Sequence, residues 1–419
     1  MTKLFARFHD SRDWTKMSGE FCTGRTIRLW ACVAVAAASA SALGIVAANA
    51  TTSAWPGTNR NNLQADVRAV HAAGATGVLA RVRTDAGDTV ARAGFADLAT
   101  RQPMPWKAYY RIGSTTKTFT AVVALQLAGE GRLGLSDSVE RWLPGLVRGN
   151  GNDGSKITIE NLLRQTSGLN DYDEQLPWVK QFTPEVFRRE RFHAYEPQEL
   201  VGMAMKNPPQ WIPSSPGETR WGYSNTNYVL AGMIIEKVTG HALAQEINDR
   251  VIEPLGLGHT IVAGTSAYVP QPRAVAYTQF PGRSGLTDTS VFVPFPDAPL
   301  ISTTADVNTF FRALMGGRLL RPAQLAQMKR TVEAKDLWDV EPGARYGLGI
   351  GWRPVSGCPG GVWSHGGTMP GFISDAGVTA GGRRAAAVSA NTWRPADDRQ
   401  DTQDEAMTRL IDRALCGTR

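Results

Sequence analysis

The sequence is poor in cysteine, with 4 in 419 residues, and its 6 histidines form no cluster. So few cysteines exclude a disulfide scaffold, and without a CxxC pair or grouped histidines a zinc centre is not expected. No metal or other cofactor is implied. Charged residues make up only 20% of the chain, too few for a disordered polyelectrolyte, and its 43 Gly and 24 Pro follow no three-residue period, which excludes a collagen. Internal repeats and low-complexity tracts are absent as well. What the chain has in quantity is apolar residues, 42% of the total, enough for a sizeable core in two or three domains.

Long blocks of one charge are also missing. The formal net charge is +7, yet basic runs such as Arg188, Arg189 and Arg191 are interrupted by acids. A nucleic-acid binder needs a basic stripe with a reading motif, so no nucleic-acid partner is expected.

The one long uncharged run is Leu29 to Ala48, preceded by Arg25 and Arg28 and followed by Ala48-Asn49-Ala50. A positive flank, an apolar stretch and small residues at a cleavage site describe a secretory signal peptide, residues 1–50, cut after Ala50. The alternative is a membrane anchor, since 20 residues just span a bilayer, but nine of these are alanine. Asp10, Asp13 and Glu20 in the flank point to Met17 as an alternative start. The expected product is secreted, extracellular or cell-wall associated, with no stable membrane anchor. Cleavage lowers the net charge from +7 to +4 and leaves Cys358 and Cys416. In an oxidising compartment these two are expected to form a disulfide, the alternative being two buried thiols.

Thr51 to Asn61 reads as a flexible lead-in. Gly77 to Val82 and Thr89 to Gly94 flank Asp85-Ala86-Gly87-Asp88 and read as a hairpin. Ser114 to Gly129 has the length and apolar content of a buried helix. Helical stretches follow at Thr158 to Arg164, Asn227 to Val238 and Ala242 to Val251. Strand patterns return at Tyr346 to Arg353, Gly361 to Ser364, Ile373 to Thr379 and Ala385 to Ala390, and Thr402 to Cys416 closes the chain as an amphipathic helix. The fold class is therefore α+β: an antiparallel sheet flanked by helices, built from residues 62–149 and 297–419, with a mostly helical domain at 150–296 inserted. A cleft is expected where the two meet.

Three short elements carry chemistry. Ser114-Thr115-Thr116-Lys117 places a serine and a lysine three apart at a helix start, on one face, with the serine at the positive end of the dipole. A desolvated lysine gives up its proton more readily, as a base toward serine must. Tyr223-Ser224-Asn225 offers a phenol for proton relay and an amide able to hold both lysine and a substrate carbonyl, or else an ordinary turn and helix cap. Ser364-His365-Gly366-Gly367-Thr368 lies among strand patterns. Its glycines would admit a substrate backbone, and the Thr368 amide would join that of Ser114 as an oxyanion hole.

In this order the three elements resemble the serine-active penicillin-recognising family, in the branch of class C β-lactamases and serine-type D-alanyl-D-alanine carboxypeptidases. The resemblance extends to Tyr110-Arg111-Ile112-Gly113, Thr166-Ser167-Gly168-Leu169, Ile301 to Val307, Tyr346-Gly347-Leu348-Gly349 and Gly367 to Gly371. It implies a β-lactamase/transpeptidase-like fold with Ser114 as nucleophile, Lys117 as activating base and Tyr223 as proton relay. Asn225 would position substrate, and His365, Gly367 and Thr368 would bind its terminal carboxylate and backbone. The implied function is a secreted D-alanyl-D-alanine carboxypeptidase acting on peptidoglycan stem peptides and inhibited by β-lactams. An esterase, a class C-like β-lactamase and a non-catalytic β-lactam- or peptidoglycan-binding protein are the alternatives.

Four positions depart from the family pattern. Gly366 lacks the usual hydroxyl, Gln165 replaces a histidine and reads as structural, and Ala298-Pro299 replaces Ala-Gly. Gly351 stands where the carboxypeptidases have arginine; Arg353, two residues on, is the candidate substitute on the same strand face.

Overall fold

The computed structural model describes residues 60–214, 217–334 and 343–417 of the chain. Residues 1–50, expected to be a signal peptide, and residues 51–59 of the expected lead-in lie outside the described residues. Helix α1 (Arg60–Ala72) precedes the hairpin β1 (Gly77–Thr84) and β2 (Gly87–Gly94). There follow α2 (Thr116–Gly129), α3 (Ile159–Arg164), α4 (Thr226–Thr239) and α5 (Thr304–Met315). The chain ends in β3 (Val332–Glu333), β4 (Arg345–Tyr346), β5 (Gly351–Arg353), β6 (Val362–Met369), β7 (Phe372–Thr379), β8 (Ala385–Ala390) and α6 (Arg399–Cys416). Among the described residues, no helix is long and apolar enough to cross a membrane.

The eight strands form one antiparallel sheet in the order β3-β4-β5-β6-β7-β8-β1-β2. The N-terminal hairpin joins the C-terminal strands through Val78 opposite Ala390 and Arg83 opposite Ala385. Beside that seam the Thr76 hydroxyl bonds Asn391 and Thr392. All six residues of β8 and seven of eight in β7 are buried, so both faces are covered. Helices α1 and α6 pack together on one face, and α5 covers the same central strands from the other. The run Ala385-Ala386-Ala387 lets helices approach both faces closely.

Sheet and helical regions meet along α2. Eleven of its 14 residues are buried, and Phe119 stacks on Phe310 of α5 at 3.6 Å between ring centroids. Residues 150–296 contain short helices, α4 and two-residue strands, of which Tyr277–Thr278 pairs in parallel with Thr392–Trp393.

Cys358 and Cys416 are joined by a disulfide that ties the end of α6 to the loop between β5 and β6, a separation of 58 residues. Closing a loop of that length removes unfolded-state entropy worth about 4 kcal/mol. Cys358→Ser/Cys416→Ser is therefore expected to lose a few kcal/mol in a denaturant titration. An unchanged midpoint would show the bridge to be energetically idle.

Candidate active site

Ser114 stands in a single 3₁₀ turn, Gly113–Thr115, that feeds directly into α2. Gly113 has φ +53°, and a Cβ there would lie 3.1 Å from the Thr368 amide nitrogen. Only glycine combines that left-handed backbone with so close an approach. Across the same contact, a Cβ on Gly367 would fall 1.9 Å from the Ile112 carbonyl oxygen and 3.2 Å from the Ser114 amide nitrogen. The Thr115 hydroxyl donates to the His365 carbonyl at 3.1 Å. The serine turn and β6 are thus pressed together, bringing the Ser114 and Thr368 amides to one place.

Along β6, strand β5 pairs only with Val362 to Ser364, whereas β7 pairs with the whole strand. Gly366, Gly367 and Thr368 are therefore left on an edge with no β5 partner beside Ser114. A substrate backbone can add there.

Lys117 is fully buried. Its Nζ donates to Ser114 Oγ at 3.2 Å and to Asp297 Oδ2 at 2.7 Å, while the Tyr172 hydroxyl donates to Asp297 Oδ1 at 2.6 Å. Burial by itself would strip the charge from Lys117, but Asp297, with Tyr223, more than reverses this and holds its pKa above the ordinary lysine value. This corrects the expectation from the sequence. Desolvation does not make Lys117 a ready base, because a carboxylate is buried with it. Asp297 lies 180 residues from Lys117 and belongs to no motif, so sequence reasoning missed it.

Tyr223 lies beside Ser114 and Lys117, with the Lys117 Nζ 5.4 Å from the centroid of its ring. Burial raises its phenol pKa, Lys117 and Ser114 partly offset this, and the balance is upward, so the group is a neutral phenol at physiological pH. Asn225 begins α4, but its side chain does not cap the helix. Its Nδ2 donates instead to Asp171 at 3.1 Å and Asp173 at 2.9 Å, and its buried Oδ1 meets no hydrogen-bond partner. The expected grip on lysine and a substrate carbonyl is thus corrected: the amide's donors are taken by carboxylates. Gln165, in the left-handed region at φ +63°, accepts from Ser224 N at 3.0 Å and Asn227 Nδ2 at 2.5 Å through Oε1, and from Gly222 N through its carbonyl. It clamps both ends of the Tyr223 loop.

His365 is buried, with Nδ1 against the Gly366 carbonyl at 2.7 Å and Nε2 on the Tyr346 hydroxyl at 3.1 Å. Burial, with a further push from Lys117, takes its pKa down to about 3, against an opposing pull from Gly366. A neutral imidazole supplies no charge for a substrate carboxylate. Arg353 is no substitute, since it is buried in an ion pair with Asp412 of α6. His365 is thus uncharged, and the charge of Arg353 is matched by Asp412. Strand alternation does put Arg353 on the face of Gly351, but α6 covers it.

Ser114, Lys117 and Tyr223 thus stand together facing a strand edge, Lys117 bonded to Ser114 and packed beside the Tyr223 ring. The family described as Beta-lactamase matches residues 63–408, a span that includes all of it. The chain belongs to the β-lactamase family of serine hydrolases. Among its members' relatives, penicillin-binding protein 4* of Bacillus subtilis (strain 168) is 34% identical over 170 residues, 40% of this chain and 34% of that protein. The match therefore spans only about a third of that relative's length. The solved structure of a D-stereospecific amidohydrolase from Streptomyces sp. is 38% identical, with TM-score 0.76, covering 86% of this chain and 100% of that one. A D-amino acid amidase from Ochrobactrum anthropi SV3, solved with D-phenylalanine, shares the fold at TM-score 0.72 and 24% identity, over 86% of this chain and 99% of that one. Within this β-lactamase-family framework, the buried acids Asp173 and Asp297, with the half-buried Asp171, are the site residues that no sequence motif announced.

Proposed function

We propose that the protein is a secreted serine amidohydrolase that transfers the acyl group of a D-amino acid amide or ester to water through a Ser114 acyl-enzyme. The observation that carries this reading is the fate of the two side chains expected at a substrate carboxylate. His365 is neutral and bonded to Tyr346, and Arg353 is committed to Asp412. Substrates whose carbonyl side ends in a neutral amide or ester suit this arrangement better than peptides ending in a free carboxylate. Similarity to the Streptomyces D-stereospecific amidohydrolase over that protein's whole length supports the same substrate class and hand.

In this mechanism Ser114 Oγ attacks the carbonyl carbon and its proton passes to the Tyr223 oxygen, as the Tyr223 proton passes to the leaving nitrogen. The C–N bond breaks and the amine departs. No ionised base is needed beforehand, which fits a phenol of raised pKa. The Lys117 ammonium stabilises the developing serine oxyanion, and the Ser114 and Thr368 amides receive the carbonyl oxygen. Water then repeats the relay in reverse on the ester.

The second reading, a D-alanyl-D-alanine carboxypeptidase on peptidoglycan stem peptides, is favoured by the open β6 edge, which suits an extended peptide. Either enzyme would be acylated by β-lactams at Ser114.

Rates on D- and L-phenylalanine amide, diacetyl-Lys-D-Ala-D-Ala and a chromogenic cephalosporin, with Ser114→Ala as the blank, separate the readings. The D-amide is expected to react at least about 100-fold faster than the L-amide, the scale of a fitted polar site. Faster release of D-alanine from the peptide would move the assignment to carboxypeptidase, and equal rates on both amide enantiomers would overturn the stereochemical claim.

A further inference from the structure

At the end of the sheet remote from Ser114 lies an open cavity of about 330 Å³, between the β1–β2 turn, the end of α5 and the β7–β8 turn. Strand β7 runs eight residues from the Phe372 end, near the serine turn, to Thr379 at this end. At about 3.3 Å per residue the cavity is therefore roughly 25 Å from the catalytic group. Its volume falls within the roughly 300–1,000 Å³ usual for small-ligand sites.

Four arginines line it, Arg83, Arg312, Arg318 and Arg383, with Asp85 the one carboxylate among them. Asp85 is shared, its Oδ1 2.6 Å from Arg312 and its Oδ2 3.2 Å from Arg383. Arg312 is also anchored to the Gly382 and Thr84 carbonyls, so it is a fixed wall. Among the described residues Arg83 reaches only Asp88, at 3.6 Å, and that carboxylate already holds Arg81 at 2.8 Å. Arg318 is exposed and takes part in no ion pair among the described residues. Counting Arg81 and Asp88 with the lining, five guanidiniums face two carboxylates. The end of α5 does not oppose an anion strongly, because the Arg312, Ala313 and Leu314 carbonyls are capped by the amides of Gly316, Arg318 and Gly317.

We propose that this cavity binds a phosphate-class oxyanion, a phosphomonoester or a phosphodiester, with Arg83 and Arg318 as the responsive ligands, Arg312 as the fixed wall and the exposed Arg383 at the rim, paired with Asp85. Guanidinium forks match phosphate oxygens in pairs, and a tetrahedral oxyanion can satisfy forks that converge from several sides, as a planar carboxylate cannot. Such a site would hold the enzyme on a phosphodiester polymer, or sense free phosphate, while leaving the serine 25 Å away unobstructed.

Titration of the full chain with inorganic phosphate and, separately, with an oligomer of glycerol phosphate, followed by calorimetry and ³¹P line broadening, tests the proposal. Saturable binding is expected, weakened about tenfold or more in Arg83→Ala/Arg318→Ala and further in Arg318→Glu, with hydrolysis of a small amide unchanged. Oligomer binding tighter than phosphate, and steeply salt-dependent, would assign the site to a polymer; equal binding per phosphate would assign it to the free ion. No saturation by either probe, or variants that bind like the parent, would overturn it. Because the readout is binding, the outcome is independent of which amide Ser114 hydrolyses.

Discussion

Asp297→Asn is expected to lower kcat by roughly 10²- to 10⁴-fold, the range for removing a positioned charge or proton-transfer partner, and to destabilise the fold by about 3–5 kcal/mol, as breaking a buried ion pair does. The change leaves the Lys117 ammonium in a fully buried site with its counter-charge gone. Burial then dominates, the lysine pKa falls, and the group neutralises or draws in water. Either way Ser114 loses the cation 3.2 Å from its oxygen. The sign for the parent protein is fixed by the raised lysine pKa. Its stabilisation is fully present below the unfolded lysine value and is lost only as pH rises through the folded one, so neutral pH shows all of it. The check is a denaturant midpoint together with kcat on the D-amide at a temperature where both proteins are folded. Asp297→Glu, which keeps the charge, should recover part of both. Parental kcat in a folded Asp297→Asn would sink the assignment of Lys117 as an ammonium held by Asp297.

Gly367→Ala comes second. The added methyl would sit 1.9 Å from the Ile112 carbonyl oxygen, a backbone atom with no rotamer to escape into. Strand β6 or the serine turn must therefore shift, by more than an ångström, and a displacement on that scale costs about 10²-fold in rate. Overpacking adds about 1–3 kcal/mol of instability. The loss should fall on kcat more than on KM, because the movement separates the Ser114 and Thr368 amides that receive the developing oxyanion. Gly258→Ala, where an added Cβ meets nothing within 4 Å, is the matched control. A Gly367→Ala enzyme with parental kcat would show that the β6 contact does not set the oxyanion geometry.

Much of this molecule was legible beforehand. The strands at Gly77–Thr84, Gly87–Gly94 and Ala385–Ala390 were visible because short runs of strand-like residues bounded by glycine and turn signals are local features. The serine helix was equally plain, though its first turn proves to be 3₁₀. Strand β6 begins near Gly361, as the pattern implied, yet runs on to Met369 across two glycines that a propensity reading counts as breakers. Gly367 is there for closeness to Ser114, a tertiary requirement. The stretch Tyr346 to Arg353 read as one strand and is two short ones, because Gly349 turns with φ +77° against α2.

From sequence alone came the candidate serine, lysine and tyrosine, through the family resemblance, and the sheet assembled from both ends of the chain, since short motifs and strand patterns are local features. Tertiary structure decided the charges. Lys117 is an ammonium because Asp297 arrives from 180 residues away, His365 is neutral because burial, with Lys117 nearby, disfavours its charge, and Arg353 faces Asp412 because α6 covers that side of β5. Protonation depends on which groups share a dry environment, and only the folded chain determines that.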